Sequence, residues 1–512
     1  MAADDPIDPT FTVLPYRRLA AAALARARDF GVTHADFRFE RIRYQHLSVR
    51  DGHLQGAEDV EEVGFSVRVI HRGAWGFAAG VLLSTDEAVK VAEQSVNVAQ
   101  VAAGMTRSPV ALAPEPVHAN AVWASAYKIN PFDVPLGDKT TLFAGWTADL
   151  QASTDVEHAS ASLQQVLENK YYEDLSGTST TQQRIRVHPT IEVYGAHGDR
   201  FDSMASLAPP VGRGWEYLVD GAYDFAAELA TLPDLLAEKL RAPSVVPGAY
   251  DLVIDPSNLW LTIHESIGHA TELDRALGYE ANYAGTSFAT PDKLGTLQYG
   301  SPLMQVTADR TTPHGLATIG YDDEGVEAQS WDIVRDGIFV GYQLDRPMAH
   351  MQLIGQGGTA LNAGRSNGCA YADSPGHIPI QRMANVSLQP DPRGPDTAGL
   401  ISQVESGIHI VGDKSWSIDM QRFNFQFTGQ RFYAIKNGEL GGQVRDVAYQ
   451  ATTTEFWNSM TAVGGPSTYV LGGAFNCGKA QPGQVASVSH GCPSALFRGV
   501  RILNVATDGE DS

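Results

Sequence analysis

Cysteine is scarce in this chain: Cys369, Cys477 and Cys492 are the three in 512 residues. No disulfide framework can support a protein of this size on so few, and a reducing compartment, the cytoplasm, is the expected location. Long apolar runs are missing too. Nothing approaches the roughly 18–20 residues that a membrane span requires, so no membrane partner is expected. Positive charge is also short, with 37 Lys+Arg against 59 Asp+Glu and a formal net charge of -22. Nucleic acids are gripped by clustered cations, which this chain concentrates nowhere, so no nucleic-acid partner is expected either. The twin arginine of "YRRLAAAALARARDF", Arg17 and Arg18, superficially resembles an export signal. Arg26 and Arg28 interrupt its apolar run and no small-residue cleavage site follows, so an amphipathic helix of the folded domain is expected.

What is present divides near residue 245. Residues 1–245 read as an α+β domain. "ADFRFERIRY" alternates Phe37, Phe39 and Ile42 with charges, and "GFSVRVIHRGAWGFAAG" reads as two strands around an Arg72-Gly73 turn. In "STDEAVKVAEQSVNVAQVAAG", Ser84 and Glu87 have capping-box spacing and Gly104 supplies a stop. Further helices are expected in "DKTTLFAGWTADLQ" and "DFAAELATLPDLLAEKLR", with strands "ASASLQQVLENKYYED" and "QQRIRVHPTIEVYG" between them. Pro243, Pro247 and Gly248 mark a linker. Residues 246–512 read as a mainly β domain carrying one helix, with Arg335-Asp-Gly and Lys436-Asn-Gly as hairpin turns and "DGEDS" as a solvated end. The fold class is α+β.

The one helix carries "IHESIGHA", residues 263–270. Asp255 as N-cap and Pro256 at the first position start it soundly. His264 and His269 are five residues apart, and at roughly 100° per residue a regular helix would leave them roughly 140° apart, unable to share a metal ion. A single i→i+5 turn, a π-bulge, would restore them to one face, with Gly268 lowering the cost of the distortion. Alternatively the helix stays regular, the face is Glu265, His269 and Glu272, and His264 is dispensable. The plainest reading has His264 as a packed, hydrogen-bonded core histidine with Glu265 and Glu272 solvated.

A zinc hydrolase site takes three protein ligands and leaves a position for water, so two histidines need one more group. The candidates are Cys477, Cys492, Cys369 and the carboxylates. Cys477 stands out locally: it is read in a glycine-rich loop after "STYVLGG", and Lys479 nearby would favour a thiolate. His490 with Cys492 is a second pair, set beside a turn at Pro493.

Five ordered segments resemble the TldD/PmbA family, on its metal-bearing TldD side. They are "VRVIHRGAWGFA", "HESIGHATELD", "IGYDDEGVEAQSWDIVRDGIFVGYQLDR", "IQRMAN" and "CGKAQPGQ". The resemblance implies a zinc-dependent peptidase with His264, His269 and Cys477 as ligands and Glu265 as general base. Cysteine and histidine donors favour zinc over iron or manganese. It also implies a dimer, with a related metal-free PmbA/TldE-like subunit or with itself, enclosing a chamber that admits unfolded peptides or leader peptides. Two rival functions use the same features: a metal-dependent amidase on small molecules, and a non-catalytic binding subunit. Phe475-Asn476 before Cys477, and the extra residues between Lys479 and Gly483-Gln484, depart from the family's pattern and bear on the shape of that segment. Glu272 and Asp274 are candidates to orient a ligand histidine, against a role as solvated surface charges. Asp322, Asp323 and Glu324 invite a calcium or second-metal reading against a tight acidic turn. Arg382 is read as holding a peptide carboxylate or as pairing within the fold.

Overall fold

The structure is a computed structural model that describes residues 6–355 and 358–506; the expected solvated end "DGEDS" lies outside the described residues. Two large sheets organise the chain. The first has seven strands. Its order runs Ala74–Gly80, His53–His71, His34–Arg50, His158–Asp174, Ser179–His197, Ala121–Ala124, with Arg200–Ala205 also paired to Ser179–His197. The central pairings are antiparallel, with one bulge between Ser48 and Val49, and Phe39 lies opposite both Phe65 and Tyr171.

Alternation in these strands places Phe37, Phe39, Phe65 and Val67 in a core with Leu19, Ala20, Ala23, Val91 and Ala92 from helices Tyr16–Asp29 and Thr85–Ala103. Arg17 and Arg18 thus lie in a helix whose apolar face is packed. Ser84 caps the second helix by accepting from the Glu87 N–H at 3.2 Å, as its spacing implies. Helices Leu136–Gln151 and Phe225–Arg241 cover the other part of the sheet through Phe143, Leu150, Leu232 and Leu236. Among the described residues, no helix is long and apolar enough to cross a membrane.

The second sheet also has seven strands, all between Gly248 and Asn504. Five of them close a ring: Ser406–Ile418, Gly248–Ile254, Ala495–Asn504, Val447–Thr452, Asn424–Lys436, and back to Ser406–Ile418. The pairing of Gly248–Ile254 with Ser406–Ile418 is parallel. The chain is therefore a mixed α+β fold with a β-rich C-terminal half. Helix Pro256–Ile263 follows directly from Gly248–Ile254 and is pinned against the ring. Asn258 Nδ2 donates to the Gly412 and Thr428 carbonyls, and the Tyr449 hydroxyl donates to Asn258 Oδ1. A two-stranded ribbon, Val470–Lys479 with Gln484–Cys492, brings the last part of the chain alongside that helix.

Candidate metal centre

Asp255 caps the helix by accepting from the Ser257 N–H at 2.9 Å, and regular α geometry ends at Ile263. His264–Gly268 then form one π turn, closed by the His269 N–H on the His264 carbonyl. The turn carries the five-residue spacing onto one face: the two imidazole rings lie 4.6 Å apart. The regular-helix alternative, with His264 dispensable, does not occur.

Backbone groups displaced by such a turn must be paired elsewhere when buried. Ser266 Oγ donates to the Thr262 carbonyl at 2.5 Å, Tyr299 to Ser266 at 2.5 Å, Thr271 to Ile267 at 2.8 Å and Gln343 to Gly268 at 2.7 Å. Gly268 has helical angles, φ -53° and ψ -60°, so freedom of the backbone is not what the position requires. Space is: a Cβ there would sit 2.5 Å from Met383 Sδ.

His264, His269 and Cys477 offer one ligand atom each, all within 4.8 Å of one another, and all three are buried. Cys477 Sγ is 3.5 Å from His269 Nε2. Contrary to the loop reading, Cys477 lies on strand Val470–Lys479, at a bulge between Ala474 and Cys477. Hydrogen-bond logic assigns the tautomers. His490 Nδ1 lies 2.8 Å from the Val386 carbonyl, which only accepts, so His490 Nε2 is left to accept from His264 Nδ1–H at 2.7 Å. His269 Nδ1–H donates to Glu272 Oε2 at 2.9 Å. Each of the two imidazoles is thereby left with a bare Nε2, the arrangement by which outer partners orient metal-binding histidines. His490, read from the sequence as a possible ligand paired with Cys492, is instead a support for His264, and it lies on strand Gln484–Cys492 rather than beside a turn. The Cys492 thiol meets the Pro256 carbonyl at 3.6 Å.

Burial pushes the Cys477 thiol up, but His269 and Arg382 outweigh it and hold the thiol below its usual value. Lys479 is not the thiol's partner. Its ammonium lies 3.0 Å from Glu272 Oε1, 2.9 Å from Asp274 and 2.8 Å from the Gln381 carbonyl. Burial opposes charge on Glu272, yet Lys479, His269 and Arg275 together hold its carboxyl well below the ordinary range. Asp274, pushed up by burial, touches neither histidine, which corrects its reading as an orienting group. Glu272 and Asp274 are both buried, so the surface reading fails for both. Removing one member of a buried ion cluster costs about 3–5 kcal/mol, because the remaining charges lose their partner. Lys479→Met is expected to lose about that much stability, read as a drop in the midpoint of denaturant unfolding.

Glu265 follows His264 directly, and its Oε2 accepts from Arg422 NH1 at 2.5 Å. Arg422 also donates to the Ala284 carbonyl at 3.2 Å and has φ +63°, a conformation uncommon outside glycine and often found at functional sites. Sequence reasoning missed Arg422. It lies 157 residues from Glu265 in a turn with no motif of its own.

Residues 247–504 match the family model described as PmbA/TldA metallopeptidase C-terminal domain, and residues 35–99 match PmbA/TldA metallopeptidase domain 1. The chain belongs to the PmbA/TldD family. A metalloprotease of Methanothermobacter thermautotrophicus is 26% identical over 92% of this chain and 95% of its own length. A zinc metalloprotease TldD homolog of Saccharolobus solfataricus is 22% identical over 94% and 98%. Among solved structures, TldE from Thermococcus kodakarensis has a TM-score of 0.68 at 15% identity, covering 94% of this chain and 99% of that one. A Thermotoga maritima protein, described as a candidate modulator of DNA gyrase, has a TM-score of 0.74 at 14% identity over 95% of this chain and 100% of that one. At these identities the two structures show the shared fold.

In this PmbA/TldD chain the acidic segment is a turn, as the plainer reading held. Asp322 Oδ1 accepts from the Glu324 and Val326 N–H groups, both at 2.9 Å. Asp323 Oδ2 accepts from Lys170 and from the Ala372 N–H, both at 2.7 Å, and Glu324 pairs with Arg68 at 3.0 Å. Asp323 and Glu324 engage cations of the first sheet while Asp322 is bonded to backbone N–H groups, and Asp323 is not part of the histidine–cysteine group, so the segment serves as the tight acidic turn. Arg382 is 2% exposed and donates to the Gln484 carbonyl at 3.0 Å and to the Cys477 carbonyl. It joins the two strands of the ribbon behind Cys477, and the peptide-carboxylate role is set aside. Cys369 is fully buried, with its thiol pushed up to about 12.

Proposed function

We propose that this chain is a zinc-dependent peptidase that cleaves unfolded peptides or leader peptides, with His264, His269 and Cys477 holding the ion. The observation that carries the reading is the π turn, which sets two imidazoles within 4.8 Å of a cysteine and places a glutamate beside them. Two nitrogens and a thiolate are a donor set suited to zinc. The name of the Saccharolobus relative, a zinc metalloprotease, supports the same ion. When bound, zinc supplies Lewis acidity, polarising the scissile carbonyl and acidifying water.

The remaining work falls to side chains of the chain itself. Glu265 takes the proton of the attacking water and delivers it to the departing amine. Arg422, on Glu265 Oε2, fixes the direction of that carboxylate. Glu272 and His490 hold the two imidazoles by their Nδ1 atoms, which leaves both Nε2 atoms free to bind an ion that these residues would hold. Lys479 balances the charge of Glu272 and Asp274 without reaching the ligands.

The division near residue 245 belongs to this proposal: residues 1–245 enclose substrate and contact a partner, and residues 246–512 carry the site. The likeness to TldE supports pairing with a related, metal-free subunit, with a homodimer as the other arrangement. The cytoplasm is the proposed location, in keeping with three free, buried cysteines. The test is hydrolysis by the purified chain, alone and with a related subunit, of unfolded peptides, of folded proteins and of small amides. Cleavage of unfolded peptides is expected. Activity on small amides alone would replace the reading with an amidase, and none on any substrate would favour a binding subunit.

A further inference from the structure

A cavity of about 540 Å³ opens beside the cluster, between strand Ser179–His197 and the elements around the metal helix. Its volume lies in the range of roughly 300–1,000 Å³ common to ligand pockets. Trp260 is the shared wall. Its ring centre is 6.4 Å from that of His264 and, stacked, 6.4 Å from that of His490. Phe475, two residues before Cys477, lines it with the His188 ring 5.3 Å away, and the largely exposed Trp416 lines it as well. Burial lowers His188 to about 4, so this imidazole is neutral near pH 7.

The charged residues lining the cavity are Asp413, Lys414 and Glu192. Lys414 is held by Asp202 at 2.6 Å, and Glu192 accepts from the Tyr194 hydroxyl at 2.5 Å. Asp413 accepts from Trp260 Nε1 at 3.2 Å, and among the described residues it has no ion-pair partner. Burial pushes its carboxyl up to about 6. Aromatic faces attract ammonium and guanidinium groups, and a carboxylate lacking a countercharge adds a charge-assisted acceptor. A neutral aliphatic guest would bury that carboxylate still unpaired, at a cost. The formal net charge of -22 favours the approach of basic peptides as well.

We propose that this cavity is a subsite for a lysine or arginine side chain of the peptide, gripped by Asp413 against Trp260, Trp416 and Phe475. The peptide comes from the function proposed above, but binding at the cavity does not require hydrolysis.

The experiment is calorimetric titration of the full chain with an unfolded decapeptide scanned with lysine against norleucine and arginine against citrulline at each position. At one position the charged residue is expected to bind more tightly by on the order of tenfold. Asp413→Asn should remove the preference while metal content stays as in wild type. Trp416→Ala, at an exposed site that tolerates change, should weaken it. Equal affinities throughout the wild-type scan, or a preference untouched by both variants, would overturn the proposal. A charge preference without any cleavage would leave the subsite standing and remove the peptidase reading; cleavage with no preference would do the reverse.

Discussion

Glu265→Gln is expected to lower peptide hydrolysis by about 10²–10⁴-fold, the usual contribution of a positioned general base, while metal content stays as in wild type. Glutamine keeps the size of the side chain and an oxygen for Arg422, so the π turn with His264 and His269 has no reason to move. What it loses is the capacity to take a proton from water. The two readouts must separate: steady-state cleavage of an unfolded peptide collapses, and elemental analysis of the same sample does not change. Full activity in the variant, assayed with any partner subunit present, would return the chain to the role of a binding subunit.

The local features of this site were legible because they depend on short spacings. Asp255 and Pro256 announce a helix start, and five residues between histidines demand a π turn if both are to serve one ion. The long strands of the first sheet and the Arg72-Gly73 turn follow in the same way from alternation and a Gly-containing pair, whereas the short strands Ala121–Ala124 and Arg200–Ala205 do not. Long-range partners were not legible. Lys479 sits 207 residues from Glu272, and nothing in "CGKAQPGQ" announces that its charge belongs to a carboxylate rather than to the neighbouring thiol.

Cys477 reads from the sequence as a loop residue after "STYVLGG", yet the strand continues through it, and the two glycines that end that segment permit close packing. A Cβ on Gly472 would stand 2.9 Å from the Trp260 ring, and one on Gly473 2.3 Å from the Val488 carbonyl. Ring closure of the second sheet was likewise hidden, since it depends on a parallel pairing between strands about 150 residues apart, which no local periodicity encodes.

The central claim is that His264, His269 and Cys477 hold one ion together, and the most direct measurement is elemental analysis of the purified wild type beside His264→Ala and Cys477→Ala. A catalytic site with three protein ligands, two of them fixed in tautomer by Glu272 and His490, should not retain its ion once a donor is removed. The account predicts about one zinc per chain in the wild type and none in either variant. Zinc that survives the loss of His264, or a wild type that binds no metal in any preparation, would contradict it.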